Sequence, residues 1–336
     1  MVLHIPKWDS VPYSGTMAIS AEDELRHQPT DEESWRESMW FCWQMPEHEI
    51  GSSMSFNYRP NTSQPGSNLR IAICRGLESE NNKPLYSRHE QPPLPEGDFD
   101  DFAFPPHFRM QRIGPLQGFR MQFDDRERLS FDYEIRFFAG AFHWQDGVYP
   151  TPVYLGNRYH CPFTIEGTLR LDGETFAVRH QGDHDHSWGT RPLDWHVLEG
   201  TKYVAGQFGT SFAFSVATTS GPDGVAPHGF IWDGMRIAAI SDIELANEYD
   251  EDGVQRRTWL NLVDVGGRLT HVTAEAFANY PTEQASVTGI PAVGTDYHNN
   301  DVYARMRVAG RDLEGAGIVS YYWGREYYHR VLAGEA

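Results

Sequence analysis

The feature that most constrains this chain is an alternation of apolar and polar residues with period two. Leu129, Phe131, Tyr133, Ile135 and Phe137 alternate with Ser130, Asp132, Glu134 and Arg136. Ile165, Leu169 and Leu171 alternate with Thr164, Glu166, Thr168 and Arg170, and Val302, Ala304, Met306 and Val308 with Tyr303, Arg305 and Arg307. Successive side chains of a strand point to opposite faces, so each run reads as a half-buried β-strand. Turn signals fall between such runs: Asp146-Gly147, Asp172-Gly173, Asp223-Gly224, Asp233-Gly234, Asp252-Gly253 and Gly266-Gly267. Asp-Gly tolerates the positive φ angles of a tight hairpin, so antiparallel meanders closing into barrels or sandwiches are expected.

Only Thr30 to Trp43 carries a helical signal, with Thr30 or Asp31 as cap and Glu32 and Glu33 in the first turn. Residues 76–118 are acidic and Pro-rich and read as a long excursion, either a lid or a loop. Asn279 to Asn300 reads as a second loop. With 336 residues the chain is long for one domain. A boundary near Arg191-Pro192 gives two halves of similar β character, residues 1–195 and 196–336.

Charge and composition narrow the function. A formal net charge of −19 repels nucleic acid and anionic membrane surfaces, and a hydrophobic content of 40% supplies a sizeable core. Cys42, Cys74 and Cys161 are too few and too widely spaced for a disulfide framework or a Cys-x-x-Cys metal site. Met1 to Ser14 has no apolar core of a signal peptide, and no apolar run is long enough to span a bilayer. A reducing, cytoplasmic setting and a neutral or apolar small-molecule partner are the expectation, with no nucleic acid and no membrane insertion.

The richest chemistry lies in Asp183-His184-Asp185-His186-Ser187-Trp188-Gly189-Thr190-Arg191. On an extended strand His184, His186 and Trp188 share one face, and Asp183, Asp185 and Ser187 the other. Gly189 is expected to end the strand or open a bulge, and Pro192 to stop it. Ionisable groups packed this densely are costly to bury unless they pair, a cost met where binding or catalysis requires it; a surface strand of solvated charges is the plainer alternative. His184-x-His186 can present two metal ligands, but His160, His180 and His196 complete no recognised spacing, so no metal and no other cofactor is expected.

At this segment the chain resembles a known family. Gly182-x-x-Asp185-His186-Ser187-Trp188-Gly189-x-Arg191 is similar to the signature of the carotenoid-hydratase-like superfamily, which includes carotenoid 1,2-hydratases, kievitone hydratases and fungal Diels–Alderases. The lead-in Gly167 to Glu174 fits it. So does Trp35-Arg36-Glu37-Ser38-Met39-Trp40-Phe41, followed by Gly51 and Arg59-Pro60-Asn61. The resemblance covers residues 30–336 and implies an all-β fold of two tandem lipocalin-like barrels, with the ligand in or between them. Two positions depart from it. His184 stands where the family has Arg. The Tyr-x-Asp pair of carotenoid hydratases is missing between Trp195 and Asp233, which argues against hydration of a carotenoid end group.

The expected activity is cofactor-free acid–base chemistry on an apolar, terpenoid- or polyketide-like molecule: a hydratase, dehydratase or isomerase. A pericyclase, a non-catalytic carrier and a metal hydrolase on His184 and His186 are the alternatives. Asp185 or Asp183 would act as general acid or base with a pKa raised by a dry cavity, and His186, with His184 beside it, would move the proton. Trp188, Trp195 and Trp232 would wall the substrate pocket. Arg191 would hold a carboxylate or a ligand oxygen, and Glu37 would pair with the motif's His or Arg. Tyr321-Tyr322-Trp323 reads as packing in the final strand.

Overall fold

The computed structural model describes residues 19–61, 66–77, 84–93, 97–149, 156–191, 200–221, 224–283, 297–324, 329–330 and 333. Met1 to Ser14, Trp195 and His196 lie outside them.

Eleven strands form the first sheet: β1 Trp35–Met45, β2 Ile50–Arg59, β3 Gly66–Arg75, β4 Tyr86–Glu90, β5 Asp101–Phe104, β6 Phe108–Gly114, β7 Gly118–Asp124, β8 Leu129–Phe137, β9 Phe142–His143, β10 Asn157–Leu171 and β11 Glu174–Thr190. Their order is β4-β3-β2-β1-β11-β10-β8-β7-β6-β5, with β9 paired to β10. Eight more strands close into a barrel in sequence order: β12 Gly200–Gln207, β13 Ala213–Gly221, β14 Gly224–Trp232, β15 Ile237–Tyr249, β16 Gln255–Asp264, β17 Leu269–Glu283, β18 Tyr297–Val308 and β19 Leu313–Gly324. The expected tandem β architecture is present. The first sheet curls around its own core, and among the described residues it keeps two free edges, β4 and β5. No helix among the described residues is long and apolar enough to cross a membrane.

The period-two pattern sorts side chains into three apolar clusters. Inside the first sheet lie Phe41, Phe56, Ile135, Phe163 and Val178. Inside the barrel lie Val204, Phe214, Ile231, Met306, Tyr321 and Trp323. Between sheet and barrel lie Cys42, Cys74, Trp144, Tyr203, Ala217, Phe230 and Ile318. Burying both faces of β1, β10 and β11 explains why these strands read as less strictly alternating than β8.

Three expectations are corrected. Thr30 to Trp43 is not a helix. The Trp35 amide closes a turn on the Glu32 carbonyl, and from Trp35 the chain is extended, with Glu37, Met39, Phe41 and Trp43 alternating inward. The capping residues thus start a turn, and tertiary burial decides the strand. Residues 76–118 are not one long excursion, because β4, β5 and β6 lie within them, and Phe99, Phe102, Phe104 and Phe108 form a buried aromatic group. Asn279 to Asn300 is strand at both ends, in β17 and β18; residues 284–296 are outside the description.

The Asp172-Gly173 turn joins β10 to β11 with φ of 50° and 86°, the left-handed pair a two-residue hairpin needs. It sets an unbroken register from Leu171↔Glu174 to Asn157↔Trp188, which places His160 across from Asp185. β11 also pairs with β1, Glu37 lying across from Trp188 and Trp40 across from Asp185. The motif is therefore the centre of a three-strand layer.

Candidate functional site

β11 divides the motif as its alternation requires. His184, His186 and Trp188 face the interior of the first sheet, and Asp183 and Asp185 face the barrel. Gly189 neither ends the strand nor opens a bulge: it sits at φ 117° in continuous register with Arg36, and pairing continues to Thr190. That φ is open to glycine and strained for other residues, which is the local reason for a Gly here.

On the interior face, Glu37 is fully buried and accepts hydrogen bonds from His186 Nε2 at 2.9 Å, from His27 Nδ1 at 2.6 Å and from the His27 amide at 3.2 Å. The carboxylate must accept, so His186 carries its proton on Nε2, and its Nδ1 receives the Tyr159 hydroxyl at 3.3 Å. Burial alone would raise the Glu37 carboxyl, but the bonds from His186 and His27 outweigh it and hold the group below its ordinary range. Trp188 is stacked on the His27 ring at 3.9 Å, so one indole face is already covered. The ligand atoms of His27, Glu37 and His186 lie within 4.8 Å of one another, close enough for a small cation. The imidazole protons already aimed at Glu37 would both have to leave for one to bind.

His184 stacks on Phe41 at 4.1 Å and on Phe137 at 5.5 Å, and its Nδ1 donates to the Trp40 carbonyl at 3.1 Å. Burial, with help from His186, pushes its pKa down to about 3, so it is a neutral core imidazole. The rings of His184 and His186 are 6.4 Å apart, and each directs a nitrogen to a different protein partner. They do not converge as a chelating pair.

The barrel-facing side is built differently. Asp183 Oδ2 accepts from His160 Nδ1 at 2.8 Å and from the Tyr203 hydroxyl at 2.5 Å, and Ser215 Oγ lies 3.0 Å from Tyr203 and 3.2 Å from His160 Nδ1. All four residues are buried, Tyr203 and Ser215 coming from the barrel. With Nδ1–H held on Asp183, the basic position of His160 is Nε2. That atom is buried, has no hydrogen-bond partner among the described residues, and lies 3.9 Å from Asp185 Oδ1. Asp185 Oδ2 pairs with Arg158 at 3.5 Å. Burial acts to raise the Asp185 carboxyl, but Arg158, His160 and Arg191 outweigh it and hold it low, the opposite of the rise expected for a dry cavity. Trp144 stacks between His160 at 5.1 Å and His228 at 5.6 Å, and burial, with Arg158 near, pushes His228 down to about 4.

Arg191 extends the same face but forms no ion pair with Glu37, whose partners are the two histidines. It lies in the field of Asp185, without a hydrogen bond to it, and is pushed well down by burial and by Arg36 and Arg158. Trp232 is not brought to the motif: it packs on the sheet–barrel apolar cluster and donates its indole N–H to the Thr210 carbonyl at 3.0 Å. Two open clefts of about 710 and 670 Å³ lie elsewhere, one lined by Gln44, His180, Gln207 and Arg305, the other by Phe108, Phe123 and Thr168. Neither reaches the buried ionisable groups, and chemistry rather than cleft size locates the site.

His160, Tyr203, Ser215, Arg158, Trp144 and His228 were not predicted from sequence as site residues. A signal for two of them existed, since counting back along both strands from the Asp172-Gly173 turn puts His160 opposite Asp185 and Arg158 opposite Ser187.

A curled β-sheet packed on a closed barrel, with the Asp-His-Ser-Trp-Gly segment on the strand that joins β1 to β10, defines a tandem-barrel fold. Residues 20–325 match the family described as a domain of unknown function, DUF7064, and the chain belongs to that family. Among solved structures it is similar to a protein provisionally named AttH from Nitrosomonas europaea, at 13% identity and TM-score 0.59, covering 94% of this chain and 99% of that one. It is similar to CghA in complex with Sch210972 (14% identity, TM-score 0.57, 87% and 89% covered). It is also similar to kievitone hydratase from Nectria haematococca (14%, TM-score 0.53, 91% and 93%). At these identities the likeness is one of fold. No curated protein sequence matches the chain.

Proposed function

We propose that this protein is an enzyme that adds water to, removes water from, or isomerises a small organic molecule by proton transfer between the sheet and the barrel. The observation that carries this reading is the Asp183–His160 dyad, whose second imidazole nitrogen is buried, unbonded and beside the Asp185 carboxylate. Asp183 fixes the tautomer and orientation of His160, as a carboxylate does for a catalytic imidazole in hydrolytic enzymes of other folds. His160 then gives or takes a proton at Nε2, and Asp185, held ionised by Arg158, is the second base.

In hydration, one carbon of a double bond takes a proton from the imidazolium, the other takes the oxygen of water, and the proton shed by that water goes to Asp185. The sum is addition of H2O, and the reverse order is dehydration. Moving a proton out to Asp185 and another in from His160 without water isomerises the double bond. Kievitone hydratase on the same fold supports a hydratase over a carrier. A pericyclase using the same buried groups to position substrate is the alternative.

The test is incubation of the purified full chain in D2O with a library of hydroxylated and unsaturated small molecules. The expected outcome is deuterium incorporation or a gain or loss of the mass of water, abolished by Asp185→Asn. Ligands that bind with neither change identify a carrier; an isomeric product without deuterium identifies a pericyclase.

A further inference from the structure

We infer that Arg191 and Arg158, beside Asp185, bind a carboxylate of the substrate, so that the substrate is an unsaturated or hydroxylated carboxylic acid; this rests on the acid–base reading of the Asp183–His160 dyad above. Four arginines, Arg36, Arg59, Arg158 and Arg191, stand close enough on the barrel-facing side of β1, β2, β10 and the end of β11 to disfavour one another's charge at Arg191. Asp185 pairs with Arg158 and acts on Arg191 from the same side. A positive cluster of this kind is out of keeping with a chain of formal net charge −19.

Arg191 is 2% exposed, and its Nε and Nη2 have no hydrogen-bond partner among the described residues; the same holds for Nε of Arg158. A buried guanidinium left in this state is unfavourable, and an oxyanion satisfies it with two acceptor atoms and an opposite charge on one group. The planar fork of arginine matches a carboxylate with two parallel N–H bonds. Position fixes the rest of the substrate. Asp185 touches Arg158 with one carboxyl oxygen, at 3.5 Å, and faces His160 Nε2 with the other, at 3.9 Å. A substrate anion on the arginines therefore places its reacting carbon a few bonds from the carboxylate.

Calorimetric titration of the full chain tests this without turnover. Phenylacetate and octanoate are titrated against phenylacetamide and octanamide at fixed ionic strength. The acids should bind, and the amides at least about tenfold more weakly. Arg191→Lys keeps the charge but loses the fork, and should weaken the acids about tenfold. Arg191→Met should weaken them about 10- to 100-fold while leaving the melting temperature of the unliganded protein unchanged or higher, because it removes a buried cation from among like charges. Equal affinity for acid and amide, no measurable binding of either, or unchanged acid affinity in Arg191→Lys overturns the proposal. Acid binding without proton exchange on any library compound leaves this site standing and sinks the acid–base reading. Proton exchange confined to neutral compounds does the reverse.

Discussion

The two faces of β11 carry similar residues and put them to different use. Facing the sheet interior, His27 and His186 both bond to Glu37 and Tyr159 completes His186, while His184, stacked on Phe41 and Phe137, leaves its Nε2 unbonded among aromatic rings. Facing the barrel, His160 Nε2, Asp185 Oδ1, two nitrogens of Arg191 and both nitrogens of His228 are buried without a hydrogen-bond partner. A network whose members satisfy one another rigidifies a fold, whereas one with unspent donors and acceptors is suited to a ligand. The lesson is that burial and ionisable character alone do not mark a catalytic residue. The discriminating observation is an unbonded second atom that stands beside another ionisable group, as His160 Nε2 stands beside Asp185.

Three substitutions sharpen or break this contrast. The largest effect belongs to Glu37→Ala, which strips the acceptor from the buried His186 Nε2 and from two donors of half-buried His27. A loss of about 3–5 kcal/mol in denaturant unfolding is expected, the usual result of breaking a buried charged network. A loss under about 1 kcal/mol would show that the interior network is not what pins β1 to β11. Next is Gly182→Ala. A Cβ there would lie 2.1 Å from the Cys42 carbonyl and 2.5 Å from the Phe163 ring. Overpacking should cost about 1–3 kcal/mol and disturb both faces together, read as a lowered melting temperature.

The effect that is absent at neutral pH concerns acid. His184 and His228 have pKa values pushed down to about 3 and about 4 in the fold, so they stay neutral while the unfolded chain takes up protons below about pH 6.5. The unfolded state binds more protons there, so stability falls as pH drops from about 6.5 towards 4, by about 1.4 kcal/mol per pH unit for each histidine. Glu37 and Asp185, both depressed, add their loss below the ordinary carboxylate range. His228→Leu should remove about half of the histidine slope in melting curves taken across this window, and leave the neutral-pH melting temperature unchanged or raised. A full slope in that variant would place the acid sensitivity elsewhere.

Much of this was legible in the sequence, and the limits have physical causes. β8 was readable end to end because one of its faces is buried and the other solvated. The separation of His186 from Asp185 followed from the alternation of a strand, and the pairing of Glu37 with the motif's histidine was anticipated. The Thr30 to Trp43 segment misled because capping residues serve a turn as well as a helix, and a strand buried on both faces shows weak alternation. Tyr203 and Ser215 were out of reach. They meet Asp183 only through the packing of barrel on sheet, which no local pattern encodes.

The central claim, that the barrel-facing side does the chemistry and the interior side holds the fold, is tested most directly by a crossed pair of variants. His160→Gln and His186→Gln are compared for melting temperature and for deuterium exchange on a library compound that the wild type turns over. The account predicts that His160→Gln melts within about 2 °C of wild type and loses exchange about 10²–10⁴-fold. It predicts that His186→Gln melts lower and keeps most of its exchange. The opposite pattern, exchange retained in His160→Gln and lost in a stable His186→Gln, would contradict it.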